Sequence, residues 1–256
     1  MKKVLVTGAE GQLGKCIHKI AGNFPELECH FKDSTALDIR NAEEVNTVFK
    51  LSSFDYCINA AAFTNVEEAE KAPENAFLVN AVGVRNVAKA ARKHGVILVH
   101  ISTDYVFDGE KKGPYLASDM PNPINEYGKS KLAGEEEIQQ HLTHYYIIRT
   151  SWLYSEYGHN FYKTILSKAK RGESLSVTDA EVGCPTNANH LAAHILELLT
   201  TPKDYGIYHF TDGMAMSWYQ FAAAILKEND LEGKIELVKD SNYRTFARRP
   251  RNSTLK

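Results

Sequence analysis

A glycine-rich turn near the N-terminus limits this chain to few folds. Residues 3–7 form a short β-branched run, and residues 12–21 have the periodicity of a helix. Between them, Gly8, Gly11 and Gly14 follow the spacing Gly-x-x-Gly-x-x-Gly. Glycines permit a tight turn and close approach to a pyrophosphate, which the N-terminus of the next helix attracts. A plain strand–helix turn is the alternative, but the position directly after the first strand favours a dinucleotide-binding site.

Strands and helices alternate along the first 150 residues. Further apolar strands are predicted near 28–32, 56–59, 96–101 and 145–148, and helices over 77–91 and 125–140. Continuous apolar strands separated by helices indicate a parallel sheet that is covered on both faces. The expected fold class is therefore α/β, with a Rossmann-like, doubly wound parallel sheet.

The pattern is looser after residue 150. Helices are predicted near 158–170, 188–200 and 217–228, and short strands near 174–177, 207–210 and 234–238. We expect a dinucleotide-binding core over residues 1–150. Residues 151–256 are expected to form a smaller substrate lobe, interleaved with the core at the carboxyl edge of the sheet, where ligands of open α/β sheets bind.

Composition excludes several classes of partner. The chain has 256 residues and a net charge of −2, so it has no basic field that would attract nucleic acid. Its four cysteines have neither metal nor redox spacing, which is typical of reduced, cytoplasmic thiols. No signal peptide or membrane span is predicted, because the apolar runs are too short.

The segment Tyr127-Gly128-Lys129-Ser130-Lys131 carries the predicted chemistry. Tyr127 and Lys131 are four positions apart and share one face of the predicted helix. An ammonium beside the phenol favours the phenolate, so we expect a lowered pKa for Tyr127, as suits a general acid. A hydroxyl at the end of the fourth strand, from Ser102 or Thr103, is expected to hold the carbonyl oxygen that receives the proton.

The second strand bears on the choice of cofactor. An acidic residue at its end favours NADH, whereas a basic residue suits the 2′-phosphate of NADPH. His30 and Lys32 lie there, so NADPH is the preferred interpretation, with NADH as the alternative. Asp38 precedes a helix and is predicted either to bind the adenine amine or to cap that helix near Asn41.

Together these motifs resemble the extended short-chain dehydrogenase/reductases, and within them the family of dTDP-4-dehydrorhamnose reductases. The resemblance covers essentially the whole chain, and the block Ser102-Thr103-Asp104-Tyr105-Val106-Phe107-Asp108-Gly109 is its most specific part. It implies reduction of the C4 ketone of dTDP-6-deoxy-L-lyxo-4-hexulose to dTDP-L-rhamnose, for cell-surface polysaccharide synthesis. A homodimer is also compatible with it.

The resemblance also implies roles for individual residues. Thr103 would orient the ketone, Tyr127 would deliver the proton, and Lys131 would hold the nicotinamide ribose. The other implied cofactor contacts are Gly8, Gly11, Gln12, Leu13, Gly14, Asp38, Ile39, Ala62, Phe63 and Thr64. Thr103, Asp104 and Trp152 would contact the nucleotide sugar. Apart from the resemblance, Arg244, Arg248, Arg249 and Arg251 form a basic cluster, in which Arg249 is predicted to bind the substrate diphosphate unless the cluster is only a solvated tail.

The chain departs from the family pattern at three places. Lys15 stands where some members carry an acidic magnesium ligand, so no such metal is expected. Glu181 replaces a frequent glutamine. Members usually continue beyond the position of Lys256, which predicts a trimmed chain or an incomplete lobe. His190 and His194 have helical i, i+4 spacing, but without a third ligand a metal site is not favoured.

Two other functions remain open at this point. One is a related epimerase or reductase that acts on another nucleotide sugar. A dehydratase is less favoured, because Thr103 is followed by Asp104-Tyr105 and not by a paired Asp-Glu. The other is an NADP-binding regulatory subunit without catalysis, as in the β subunit of methionine adenosyltransferase, which resembles this family.

Overall fold

A six-stranded parallel sheet forms the centre of the molecule in the computed structural model, which describes residues 1–256. The strands are β1 (Lys2–Thr7), β2 (Leu27–Lys32), β3 (Tyr56–Asn59), β4 (Ile97–Thr103), β5 (Tyr145–Thr150), β6 (Leu153–Tyr154), β7 (Leu175–Val177), β8 (Val182–Gly183), β9 (Thr186–Asn187), β10 (Gly206–His209), β11 (Met216–Ser217) and β12 (Leu237–Lys239). The central sheet has the order β10-β5-β4-β3-β1-β2, and the remaining strands form three two-stranded pairs. This order confirms the doubly wound α/β fold class.

Helices cover both faces of this sheet. They are α1 (Gln12–Ile20), α2 (Ala42–Ser52), α3 (Val66–Lys71), α4 (Pro73–Phe77), α5 (Val84–His94), α6 (Glu126–His141), α7 (Phe161–Lys170), α8 (Ala188–Thr200) and α9 (Trp218–Glu228). One apolar core lies under α1 and α8, and the other lies under α2, α5 and α6. Several helices begin at a side chain that accepts a hydrogen bond from the first turn, among them Asn41 and Asn125, and such a cap stabilises a helix by about 1 kcal/mol.

The helix predicted over residues 77–91 is not uniformly α-helical. A π-helical segment, Leu78–Gly83, lies between α4 and α5. Asn80 and Gly83 in this segment are buried, and the amide of Asn80 bonds the backbone of Phe63. The wider turn therefore directs a polar side chain into the interior, where a regular apolar stripe was expected.

The second half of the chain contributes to both the sheet and the lobe. β10 pairs in parallel with β5, and α8 packs against α1, so these elements belong to the central sheet layer. A separate apolar cluster joins α7, α9 and β7. The division into a core over residues 1–150 and a substrate lobe over residues 151–256 stays a prediction. No helix of the molecule combines the length and apolar character needed to cross a bilayer.

Candidate active site

The candidate catalytic side chains come together at the carboxyl ends of neighbouring strands. Thr103 ends β4, and the glycine turn follows β1. Trp152 lies two residues beyond the end of β5. Because all three strands are parallel, these positions meet at one edge of the sheet, as expected for a ligand site in an open α/β fold.

Tyr127 is brought to this edge by a close contact between α6 and the turn after β4. Asn125 caps α6 by accepting a hydrogen bond from the Gly128 N–H at 2.8 Å. A Cβ atom on Gly128 would lie 2.1 Å from the backbone oxygen of Tyr105, so only glycine permits this approach. The contact sets Tyr127 beside Thr103, whose hydroxyl lowers the pKa of the phenol.

The pKa of Tyr127 differs from the sequence-based prediction. Burial raises this pKa to about 12, the neighbouring Thr103 hydroxyl opposes the rise, and the charge of Asp104 adds to it. The prediction of a lowered pKa is wrong for the protein alone, because Lys131 donates its short hydrogen bond elsewhere, to the backbone of Ile101. The phenol therefore stays protonated at neutral pH, which is the form that a proton donor requires.

Lys131 lies buried beneath the site. Its ammonium donates to the carbonyl oxygen of Ile101 at 2.6 Å and lies 3.3 Å from Nε2 of His100. The side chain is only 2% exposed, and burial lowers the pKa of Lys131 to about 8, while the charge of Glu135 acts in the opposite direction.

The structure also separates the two hydroxyls at the end of β4. Ser102 donates to Glu135, which forms a buried ion pair with Arg149 at 2.6 Å. Ser102 is therefore engaged in a structural network. Thr103 is left as the candidate to orient a substrate oxygen, and its hydroxyl bonds Oδ1 of Asp104 at 3.0 Å.

Asp104 is a buried carboxyl group that is incompletely paired. It is 2% exposed, and its Oδ2 atom has no hydrogen-bond partner. Burial raises the pKa of Asp104 to about 7, although the neighbouring hydroxyls of Ser253 and Thr103 act in the opposite direction. An orphaned oxygen beside Thr103 is suited to accept a hydroxyl of a bound sugar.

The glycine turn fits a dinucleotide. Gly8 has φ +67°, and a Cβ atom on it would lie 2.6 Å from the Ala61 backbone nitrogen, so the turn packs tightly against the loop after β3. Gly11 caps α1 without any side-chain hydrogen bond, and no acidic residue lies in the first turn. The free N–H groups around Gln12, Leu13 and Gly14 can therefore receive a pyrophosphate.

The loop after β3 is held by a residue that the sequence pattern does not mark. Asn80 accepts a hydrogen bond from the Phe63 N–H at 2.8 Å and donates to its carbonyl at 2.9 Å. It also donates to Ser130 at 3.0 Å, next to Lys131 on α6. Ala62 is half-buried and Thr64 is exposed beside this anchor. A polar residue on the apolar stripe of the predicted helix is the signal that could have revealed Asn80.

The expected adenosine side of the site is only partly arranged as predicted. Asn41 caps α2, so Asp38 is not the N-cap, and its carboxylate pairs with Arg40 at 2.7 Å. Ile39 is 4% exposed and belongs to the core rather than to an open surface. An adenine amine would therefore share the Asp38 carboxylate with the guanidinium of Arg40.

A stacked tryptophan pair forms the wall of the site on the lobe side. Trp152 has φ +48°, a left-handed conformation that is strained for a bulky residue and is often found at functional sites. Its ring stacks on Trp218 with centroids 3.5 Å apart and an interplanar angle of 4°. Trp218 in turn donates to Glu181 at 2.9 Å. The sequence pattern did not predict a role for Trp218. The only signal for it in the sequence is an aromatic residue at the start of α9.

Arg249 lies apart from the rest of the basic cluster. Its guanidinium donates to Glu67 at 2.9 Å and to the Tyr105 hydroxyl at 3.2 Å, while its Nε has no partner. Arg244, Arg248 and Arg251 are exposed. Of the cluster, therefore, only Arg249 is built into the region around Tyr105 and Glu181.

Neither histidine of the i, i+4 pair belongs to a metal cluster. His190 contacts Asp212 at 2.9 Å, and His194 stacks on Phe210 with centroids 4.5 Å apart. No group of three or more histidine, cysteine or acidic side chains is close enough to hold an ion. Lys15, at the position of the acidic residue of some relatives, pairs with Glu10 at 3.0 Å.

Comparison with known proteins agrees with this geometry. The family model described as RmlD substrate binding domain matches residues 1–256. A dTDP-4-dehydrorhamnose reductase of Aggregatibacter actinomycetemcomitans is 38% identical over 266 residues, covering 100% of this chain and 90% of the relative. The spore coat polysaccharide biosynthesis protein SpsK of Bacillus subtilis is 38% identical over 257 residues, covering 100% of this chain and 89% of the relative.

A solved structure agrees equally well. The dTDP-4-dehydrorhamnose reductase of Bacillus anthracis in complex with NADP has a TM-score of 0.96 and 38% identity, covering 100% of this chain and 91% of that chain. Both the sequence match and the fold extend over all the site residues described above. The chain belongs to the RmlD substrate binding domain family, together with the dTDP-4-dehydrorhamnose reductases that it matches over its whole length.

Proposed function

We propose that this protein reduces the C4 ketone of dTDP-4-dehydrorhamnose to dTDP-L-rhamnose, with NADPH as reductant. The observation that carries the proposal is the meeting of Thr103 and Tyr127 at the carboxyl edge of the sheet, with Lys131 buried beneath them. Such a product serves polysaccharide synthesis, and we place the enzyme in the cytoplasm. A homodimer is compatible with this function.

The proposed reaction needs one hydride and one proton. A bound nicotinamide supplies the hydride to C4. The Thr103 hydroxyl orients the ketone oxygen, and Tyr127 donates its phenolic proton to the oxygen as negative charge develops there. Because an alkoxide is a stronger base than a phenolate, this transfer is favourable even from a phenol whose pKa is about 12. The C=O group becomes CH–OH, and the phenolate then regains a proton from solvent.

The remaining residues have binding roles in this proposal. The N–H groups at the start of α1 hold the pyrophosphate of the cofactor, and the Lys131 ammonium holds the nicotinamide ribose. Trp152 and Asp104 contact the sugar, the latter through its unpaired oxygen. Arg249, with its free Nε, binds the diphosphate of the substrate.

The preference for NADPH follows from the end of β2. Lys32 is the last residue of this strand and can pair with a 2′-phosphate. The carboxylate of the next residue, Asp33, already accepts hydrogen bonds from the N–H groups of Thr35 and Ala36, which disfavours its use for a ribose hydroxyl. We expect a higher kcat/KM with NADPH than with NADH, and the opposite order would contradict this assignment.

Turnover of dTDP-4-dehydrorhamnose, followed by the oxidation of NADPH, tests the function. We expect turnover by the wild type and a loss of about 10²–10⁴-fold in kcat for Tyr127→Phe, which lacks the donated proton. The matched control is Tyr205→Phe, because Tyr205 precedes β10 at the opposite edge of the sheet. Absence of turnover by the folded wild type would exclude the reductase, and equal turnover by Tyr127→Phe would exclude this proton donor.

A further inference from the structure

Three buried polar residues form a row across the centre of the sheet. Thr7, Asn59 and His100 are register partners on the adjacent strands β1, β3 and β4. Each of the three is 0% exposed. We call these three residues the polar row. Two residues earlier on the same strands, the corresponding positions hold Leu5 and Cys57, together with Leu98, in the apolar core.

The polar row is hydrogen-bonded from end to end, and it leads to the candidate catalytic lysine. The Thr7 hydroxyl bonds Oδ1 of Asn59 at 2.6 Å, and Nδ2 of Asn59 lies 3.1 Å from Nδ1 of His100. Nε2 of His100 then lies 3.3 Å from Nζ of Lys131. One continuous chain therefore connects the strand that enters the glycine turn with the ammonium beneath Tyr127.

Stability alone does not account for such a row. Burying a hydroxyl, an amide and an imidazole is unfavourable unless every group is paired, and apolar residues of similar size are generally at least as stabilising. The apolar residues two positions earlier show that this face of the sheet accepts hydrophobic side chains. The last residue of the polar row, His100, contacts Lys131. This contact points to a role of the row toward Lys131.

The chemistry of imidazole specifies how the contact works. Burial and the charge of Lys131 hold the pKa of His100 well below 6.5, so the ring is neutral and has one donor and one acceptor nitrogen. Toward an ammonium, Nε2 must be the acceptor, and Nδ1 then carries the hydrogen. This tautomer requires the Asn59 amide in the orientation opposite to the one given above, with its oxygen facing Nδ1 of His100 and its nitrogen facing Thr7. The Thr7 hydroxyl permits that orientation, because it can accept from the amide nitrogen as well as donate.

We propose that His100 is a positioning residue for Lys131, which it holds through Nε2 while Asn59 and Thr7 fix the orientation of the imidazole ring. His100 and the Ile101 carbonyl together engage two of the three N–H bonds of the ammonium. The third N–H bond is thereby directed to a ligand. This inference rests on the proposed function, in which that ligand is the ribose of the cofactor.

Two substitutions at one position distinguish positioning from filling of space. In His100→Gln, the amide reaches roughly the place of Nε2 and keeps a polar partner for Lys131. In His100→Asn, the shorter amide overlays Nδ1 and keeps only the partner for Asn59. We expect His100→Gln to retain kcat/KM within about threefold, and His100→Asn to lose about tenfold to a hundredfold, as is usual when a catalytic group is misplaced.

Binding of NADPH, measured by fluorescence titration, gives a second readout that does not need turnover. We expect its Kd to rise in His100→Asn more than in His100→Gln. If the wild type failed to reduce the keto sugar but this difference in Kd were present, the proposed function would fail and the inference about His100 would stand. Equal Kd and equal kcat/KM in the two variants, with both folded by circular dichroism, would overturn the inference.

A double-mutant cycle tests whether His100 acts through Lys131. In a Lys131→Met background, which keeps the length of the side chain, replacement of His100 by Asn should change kcat/KM and the Kd of NADPH by less than about twofold. A loss as large as in the wild-type background would mean that His100 supports the fold rather than Lys131, and would overturn the inference.

Discussion

Asp104 combines two features that rarely occur together, a fully buried carboxyl group and an oxygen without a partner. Its pKa is raised from an ordinary 3.8 to about 7, chiefly because burial penalises the charged form. The folded state thus favours the protonated acid. The stability that this preference contributes is complete below the pKa of the unfolded chain and is lost as the pH rises through about 7.

The variant Asp104→Asn should therefore become more stable relative to the wild type as the pH rises. The amide carries no charge and can still accept the hydrogen bond from Thr103. Between about pH 5 and pH 8, we expect the difference in the free energy of unfolding to move in favour of the variant by about 2–3 kcal/mol. Thermal unfolding at both pH values measures it.

The exposed Asp230 provides the matched control. Asp230→Asn should shift the Tm equally at both pH values. If Asp104→Asn behaved in the same way, burial would not raise the pKa of Asp104 in the folded protein.

The sequence identified the catalytic candidates but not their ionisation. The spacing of Tyr127 and Lys131 correctly placed both on α6, because helical periodicity is local. The pKa of Tyr127 depends instead first on burial by the folded chain, and then on Thr103 and Asp104, which the fold brings beside it. Such effects cannot be read from the i, i+4 spacing alone.

At the scale of elements, the contact of α6 with the turn after β4 determines where Tyr127 lies. Gly128→Ala would place a methyl group 2.1 Å from the Tyr105 oxygen and 3.0 Å from Pro123. Because a backbone oxygen cannot move alone, α6 must shift as a whole. We expect a loss of about 1–3 kcal/mol in the free energy of unfolding, measured by urea denaturation, and a lower kcat in the remaining folded protein.

Gly22→Ala is the control for this prediction, since a Cβ atom there would meet nothing within 4 Å. It should leave both the stability and the rate close to those of the wild type. A Gly128→Ala variant as stable and active as Gly22→Ala would show that the close approach of α6 is not required.

The elements themselves were predicted to different extents. β1, the glycine turn and α1 follow from local patterns that need no tertiary partner. The π-helical segment does not, because its hydrophobic spacing still resembles that of an α-helix. It accompanies the hydrogen bonds of Asn80 to Phe63 and Ser130, which lie far away in the sequence. Long-range pairing of this kind escapes an analysis of periodicity.

At the scale of the whole molecule, the C-terminal segment returns across the site to the dinucleotide-binding core. Glu67, in the first turn of α3, accepts hydrogen bonds from the N–H groups of Phe246 and Ala247 at 2.9 and 3.2 Å. The same carboxylate pairs with Arg249 at 2.9 Å. A single side chain thus joins the helix after the cofactor loop to the segment that carries the proposed diphosphate ligand.

Glu67→Ala should release this segment and thereby weaken the binding of the nucleotide sugar more than that of NADPH. Loss of a charge-assisted pair and of two further acceptor contacts predicts a rise of about tenfold in KM for the sugar nucleotide. It also predicts faster amide hydrogen exchange at Phe246 and Ala247.

The neighbouring Glu68, which contacts only Lys71 at 3.9 Å through its side chain, gives the control variant Glu68→Ala. If Glu67→Ala and Glu68→Ala had the same KM and the same exchange rates, the carboxylate of Glu67 would not hold the two halves of the site together, and Arg249 would have to be positioned by Tyr105 alone.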